Sequence, residues 1–313
     1  MTSVFEKASP MPRGLPSTTA PSSYDLYEGI TYQDYWTGKD TANFNALEQA
    51  IVCELLPPHG DRLLDLGCGY GRFAGSYMDR FENVVMFDGS RSLLKAAQQA
   101  TDGKACYVWG DVNYLPFRAG VFDEVLLVRV FQHLVDSRGC IQDVRRILKP
   151  GGRFLFNYSN KRNAYRVMKY LLGGTRHNPF DTRMLMVEAN YYHHHPAHVE
   201  DLLNAAGFEI VSRRGAGVFN KIVEHSGFLA DIIPPGISLA PFLGRFLLAP
   251  WIFLDTRVKE NSPPAPPAGD EAMFVCPRCG LDLLAKPEYY ECSGCRKTYP
   301  IEDGIIDMRM ESL

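Results

Sequence analysis

The chain has no run of apolar residues long enough to cross a bilayer as a helix. Its most apolar region, residues 227–254, is broken by Asp231, Arg245 and four prolines, and its longest charge-free run falls short of the roughly 18 residues such a helix needs. That region reads either as a lid over an apolar ligand or as core packing ahead of a last strand. The first two dozen residues lack the apolar centre of a signal peptide and are rich in Pro, Ser and Thr, which reads as a disordered tail over residues 1–23. Export is therefore not expected, and the cytoplasm is the expected compartment. Basic charge is not in excess: 33 Lys and Arg against 36 Asp and Glu give a net charge of −3, so nothing announces a polynucleotide partner, although a local patch stays compatible with one. With 313 residues, 46% of them hydrophobic, the chain can bury a full core and suggests one large domain plus something small.

What the chain does contain is a glycine-rich turn, Leu63-Leu64-Asp65-Leu66-Gly67-Cys68-Gly69-Tyr70-Gly71-Arg72-Phe73, where an apolar strand runs into a helix. Gly67, Gly69 and Gly71 allow positive φ and a close ligand, and the helix start offers free N–H groups. Asp65 argues against a phosphate there. A dinucleotide fingerprint would place its third glycine where Arg72 stands, so nicotinamide and flavin are disfavoured. A second apolar run, Val84–Phe87, ends in Asp88, 17 residues after Gly71, where a carboxylate can accept ribose hydroxyls. A third, Cys106–Trp109, ends in Gly110-Asp111-Val112, a carboxylate beside a backbone N–H that suits adenine. Any one of these acids could be a helix cap or turn residue; the three together fit adenosine.

These motifs, with Leu115-Pro116-Phe117, Phe122-Asp123 before Val125–Val128, and Leu148-Lys149-Pro150-Gly151-Gly152-Arg153, resemble a class I S-adenosylmethionine-dependent methyltransferase of the type 11-like group. The resemblance covers roughly residues 45–158. It implies an α/β fold with a doubly wound, mostly parallel seven-stranded sheet, and S-adenosylmethionine as methyl donor. Cofactor contacts are implied at Asp65, Gly67, Cys68, Gly69, Gly71, Asp88, Gly89, Asp111, Val112 and Val128. Helices are expected over 45–56, 93–99, 141–148 and 198–206, the last stopped by Gly207, and late strands over 208–212 and 252–258.

Methyl transfer from a sulfonium needs an acceptor held in line and, for a hydroxyl or carbon acid, a base. The loop Arg129-Val130-Phe131-Gln132-His133 follows the fourth strand, where ligands gather. His133 is the candidate base, with a hydrogen-bonded packing residue as the alternative, and Arg129 would steer an anionic acceptor. The Asn/Asp-Pro-Pro-Tyr signature of many amino methyltransferases is missing. The expectation is therefore O- or C-methylation of a small or lipid-like acceptor, similar to the quinone and natural-product methyltransferases. A tRNA, rRNA or translation-protein substrate stays open, as does a non-catalytic scaffold that binds S-adenosylmethionine and zinc.

Of eight cysteines, Cys53, Cys68, Cys106 and Cys140 fall singly and read as small buried hydrophobes. Cys276-x-x-Cys279 and Cys292-x-x-Cys295, twelve residues apart, have the spacing of one zinc held by four thiolates. With Tyr299–Met308 they resemble the small zinc-ribbon activators of tRNA, rRNA and protein methyltransferases, with Ile306 where proline is frequent there. The expected organisation is a tail over 1–23, a methyltransferase domain over 24–258, a Pro-rich linker over 259–272 and a zinc ribbon over 273–313. His193-His194-His195 match no metal-ligand spacing and read as a loop, while Tyr191 and Tyr192 either line an acceptor pocket or pack.

Overall fold

The computed structural model describes residues 36, 39–188, 190–217, 247–259 and 273–310. The expected tail, residues 227–246 and nearly all of the Pro-rich linker lie outside the described residues. In chain order the elements are α1 (Lys39–Leu55), β1 (Gly60–Leu66), α2 (Ala74–Tyr77), β2 (Phe81–Asp88), α3 (Arg91–Ala100), β3 (Cys106–Trp109) and β4 (Phe122–Leu127). Then come a short turn of helix at Phe131–His133, α4 (Ser137–Ile147), β5 (Leu148–Ser159), α5 (Ala164–Leu171), β6 (Leu185–Glu188) and β7 (Tyr191–His193). The rest are α6 (Pro196–Ala205), β8 (Phe208–Ala216), β9 (Trp251–Val258) and the short strands β10 (Leu283–Ala285), β11 (Tyr289–Cys292), β12 (Thr298–Glu302) and β13 (Ile305–Asp307).

The middle of the main sheet runs β3-β2-β1-β4-β5-β9-β8, with β1 to β5 parallel and β9 antiparallel to both neighbours. This is the expected doubly wound, seven-stranded arrangement. Its strands are apolar on both sides because both faces are covered. Leu64, Val85, Phe87, Val125, Phe154 and Phe156 face one core, while Leu63, Val84, Met86, Leu126 and Leu155 face the other. Local sequence sets the helix starts: Ser90, Asp136 and Asn163 cap α3, α4 and α5, and Pro196 opens α6. Gly207, at φ +83°, ends α6 as expected.

The sheet does not stop at seven strands. β13 pairs in parallel with β3, and β12, β11 and β10 follow, giving eleven. Asp303 and Gly304, both at positive φ, turn β12 into β13 as a two-residue hairpin. Phe274, Leu283, Tyr299, Ile306 and Met308 join the same core as Phe87 and Phe117, so the ribbon has no separate interior. Around this joint, Arg91 and Lys95 of α3 pair with Glu302 and Asp303, and Val275 N donates to Pro116 O at 2.9 Å. The otherwise open edge of β3 is thereby covered. No helix among the described residues is long and apolar enough to cross a membrane.

One acid sits where the sheet is driest. Glu124 on β4 is 1% exposed, its carboxyl oxygens have no hydrogen-bond partner, and Arg153 Nε lies 3.8 Å away while bonding Asp255 more closely. Burial pushes the Glu124 carboxyl up to about 8. The folded chain then holds a proton that the unfolded chain releases above its ordinary value, so stability falls as pH rises from about 4.5 toward about 8. Glu124→Gln should melt a few degrees above the wild type at pH values beyond that range, with the gap closing in mild acid. A gap that does not change with pH in thermal melts would contradict this.

Candidate functional site

The glycine turn is tied to the end of β2. Gly67 N and Cys68 N donate to Phe87 O at 2.7 and 3.1 Å, and Gly69 N donates to Asp88 Oδ2 at 2.8 Å. Gly67, at φ +81°, allows no substitute, because a Cβ there would lie 2.2 Å from Val130 Cγ2. Asp88 Oδ1 accepts from Ser90 N at 2.9 Å. Asp65 is buried beside the turn, where Tyr77 Oη donates to its Oδ2 at 2.7 Å. At the end of β3, Asp111 Oδ1 accepts from the backbone N and the side-chain amide of Asn113. Gly110 N bonds Asp88 O, and Trp109 Nε1 bonds Gly89 O at 2.8 Å. The ends of β1, β2 and β3 thus bring Asp65, Gly67, Cys68, Gly69, Asp88, Gly89 and Asp111 together. Gly71 closes the turn, Val128 is buried at the end of β4, and Val112 packs against the main core.

All three carboxyls are raised, in each case first by burial, and Asp65 reaches about 7. Among the described residues none of the three is in an ion pair. Asp65 is buried and feels the Arg72 charge, while Asp88 and Asp111 are half-buried; acids with hydrogen bonds and no ion pair suit a ligand that carries positive charge and hydroxyls.

A second wall comes from α1. Glu48, 0% exposed, accepts from Arg72 Nη2 at 2.8 Å and from Arg129 Nε and Nη2, each at 2.9 Å. Arg72 also donates to Asn45 and stacks on Trp36, and the Arg129 guanidinium lies 3.4 Å from the centre of a Trp251 ring. Arg129, expected to steer an anionic acceptor, instead has its charge committed to Glu48. Its backbone sits at φ +65° and its N donates to Asn157 Oδ1. Sequence reasoning passed over Glu48; the available signal was an acid on the same helical stripe as Phe44, Ile51, Val52 and Leu55.

His133 stands at the far side of the same loop. Its Nδ1 lies 2.9 Å from Asn190 O, so Nδ1 carries the proton and the lone pair is on Nε2. Burial lowers its pKa. Tyr191 packs edge-on between the rings of His133 and His193. The three consecutive histidines diverge: His193 bonds Ser159 and Arg166, His194 packs on Phe131, and His195 caps α6.

In the ribbon the ligand atoms of Cys276, Cys279, Cys292 and Cys295 all lie within 4.8 Å of one another, with the 276–295 and 279–292 sulfurs 3.7 and 3.4 Å apart. That spacing fits four thiolates on one tetrahedral zinc. Tyr299 Oη lies 3.0 Å from Cys276 Sγ. Of the four isolated cysteines, Cys68 and Cys140 are buried and Cys106 partly so. Cys53 departs from expectation: it is exposed and its Sγ accepts from Arg80.

Residues 64–156, which hold the glycine turn and the first acids, match the family described as methyltransferase domain. Over that stretch the chain is similar to methyltransferase domains. The chain is similar to a probable S-adenosylmethionine-dependent methyltransferase of Mycolicibacterium smegmatis, 25% identical over 70% of this chain and 80% of that one. It is also similar to the demethylmenaquinone methyltransferase of Clavibacter sepedonicus, 32% identical over 34% of this chain and 44% of that one. The chain spans only 37% and 25% of the length of two other curated relatives. Among solved structures, a chain of the complex between the Haloferax volcanii Trm112 methyltransferase activator and a methyltransferase shares the fold, with a TM-score of 0.50, 16% identity, and coverage of 74% of this chain and 97% of that one. For the thiolate cluster, metal analysis of the full chain should return about one zinc, lost in Cys292→Ser together with several degrees of melting temperature. A metal-free wild type purified under reducing conditions would overturn this.

Proposed function

We propose that the chain transfers a methyl group from S-adenosylmethionine to an oxygen or carbon atom of a small or lipid-like acceptor. The observation that carries the reading is the set of carboxyls at adjacent strand ends, Asp65 buried and Asp88 and Asp111 half-buried, none of them in an ion pair among the described residues. When bound, S-adenosylmethionine supplies an electrophilic methyl on a positively charged sulfur. Asp88 keeps a second lone pair on each oxygen for ribose hydroxyls, although Gly69 and Ser90 already use one each. Asp111 and the N–H of Val112 would hold the adenine, Gly67 to Gly71 would hold the methionine portion, and Asp65 would attract the positive charge. Gly89 and Val128 complete the walls. His133 removes the acceptor proton through Nε2, and its lowered pKa keeps it neutral at pH 7. Arg129 acts as a positioning residue that holds this loop against α1.

The missing nitrogen-gripping signature and the demethylmenaquinone methyltransferase among the relatives support an O or C acceptor of quinone-like or lipid-like character. A second reading, with RNA or a translation protein as acceptor, is supported by the Trm112 complex, since the ribbon here lies on the sheet edge as a built-in accessory. In either case we propose that Cys276, Cys279, Cys292 and Cys295 hold zinc and that the ribbon braces the adenine side. Arg309, just past β13, stacks 3.3 Å from the Trp109 ring centre, and Met308 N donates to Trp109 O.

Calorimetric titration of S-adenosylmethionine should show binding that weakens about tenfold or more in Asp88→Ala; equal, negligible heats would overturn the S-adenosylmethionine reading. Labelled cofactor incubated with cell extract should put label in the small-molecule or lipid fraction, and label confined to RNA or protein would favour the second reading. His133→Gln should lower kcat by about 100-fold and remove the loss of activity that the wild type shows as pH drops below the ordinary histidine value of 6.5. An unchanged acid limb in the variant would remove His133 from the chemistry.

A further inference from the structure

The segment from Lys161 to Glu188, inserted between β5 and β7, is built unlike the rest of the chain. It holds six Lys and Arg against two acids, a net charge of +4 in a chain of −3. It also holds eight of the thirteen large hydrophobic side chains exposed among the described residues. Tyr165, Met168 and Leu172 follow one stripe of α5 and its end, with Leu171 beside them, while Arg162, Arg166 and Lys169 follow the neighbouring stripe. Leu171 and Leu172 are 70% and 79% exposed, and no residue of α5 is buried. A helix this short is marginal in water without packing, so its apolar face points to a surface that is not part of this core.

The segment is nevertheless held in one piece. Asn163 caps α5, Tyr170 packs edge-on against Phe180, and Lys161 Nζ donates to the carbonyls of Asp181 and Arg183 at 2.7 and 2.8 Å. Arg166 Nη2 lies 2.7 Å from His193 Nε2, and the opposite ring nitrogen bonds Ser159 at the end of β5. A guanidinium can only donate, so the His193 proton is on Nδ1 and the contact is a fixed strut from α5 to the sheet. The β6–β7 hairpin that follows carries Met186 outward and Tyr191 inward beside His133. An apolar, basic surface is thus mounted next to the loop that holds the candidate base.

We propose that α5 and the β6–β7 hairpin dock on an anionic phospholipid bilayer, with the apolar stripe entering the headgroup region and the exposed Lys169 and Arg176 pairing with lipid phosphates. The charge sign selects this occupant: exposed leucine, methionine and aromatic side chains interleaved with Arg and Lys match an acidic interface. The inference extends the lipid-like acceptor reading, because such an acceptor would then reach the site from the bilayer without crossing water.

Co-sedimentation of the full chain with phosphatidylcholine vesicles, with and without phosphatidylglycerol, tests it, and needs neither cofactor nor acceptor. Binding should require the anionic lipid, fall with added salt, and weaken about tenfold in the double variant Leu171→Glu, Leu172→Glu. Lys169→Glu with Arg176→Glu should weaken it as well while leaving the apolar tip intact. S-adenosylmethionine titration of the same variants should match the wild type, which separates a failure of docking from a failure of the methyltransferase reading. No vesicle binding, binding without regard to lipid charge, or binding unchanged in both double variants would overturn the proposal. Self-association that the Leu variant abolishes, without vesicle binding, would assign the face to a second copy and overturn it equally.

Discussion

A single carboxylate, that of Glu48, holds together three parts of the chain that bracket the site. It meets Arg72 at the end of the glycine turn and Arg129 at the end of β4, from a helix that precedes both. Burying a charge with two opposite partners is tolerable only because its hydrogen bonds are met and the guanidiniums lie on Trp36 and Trp251. Removing the acid would leave two cations in a dry pocket. The same interaction gives a physical reason for Arg72 where a dinucleotide fold would have glycine, and for the strained backbone of Arg129: each residue is placed to reach one oxygen pair.

The opposite side of the site depends on a sheet edge. The parallel register of β13 on β3 sets Asp307 beside Trp109, two residues before Asp111, and carries Arg309 onto the Trp109 ring. The thiolate cluster, Tyr299 and the hairpin at Asp303-Gly304 all serve to hold that register. The ribbon is thereby joined to the strand whose end leads to Asp111. Loss of order in the ribbon would be felt first at the ends of β2 and β3, where the half-buried Asp88 and Asp111 accept from backbone amides.

Much of this was legible along the chain because the signals are local. A strand, three glycines and a helix form one motif, and Asp88 and Asp111 each close their own apolar run. The four thiolates declare themselves by spacing. What was not legible depends on residues far apart. Glu48 reads as a solvated acid until Arg72 and Arg129 are folded onto it, and nothing in Ile305-Ile306-Asp307 tells that its partner is Tyr107-Val108-Trp109. The α5 segment was missed for another reason: a helix with no buried face leaves no pattern that points to this core. Cys53 was misjudged because a small apolar residue on a helix fits either side of it.

The bond between Gln98 and the carbonyl of Asp303 joins positions 205 residues apart. While the intervening chain is still being synthesised, β3 is a bare edge with unpaired amides and carbonyls, and its permanent neighbour does not yet exist. This edge of the sheet is therefore completed only when β13 arrives, and the time between those two moments is the interval in which the nascent molecule is most open to joining the wrong neighbour.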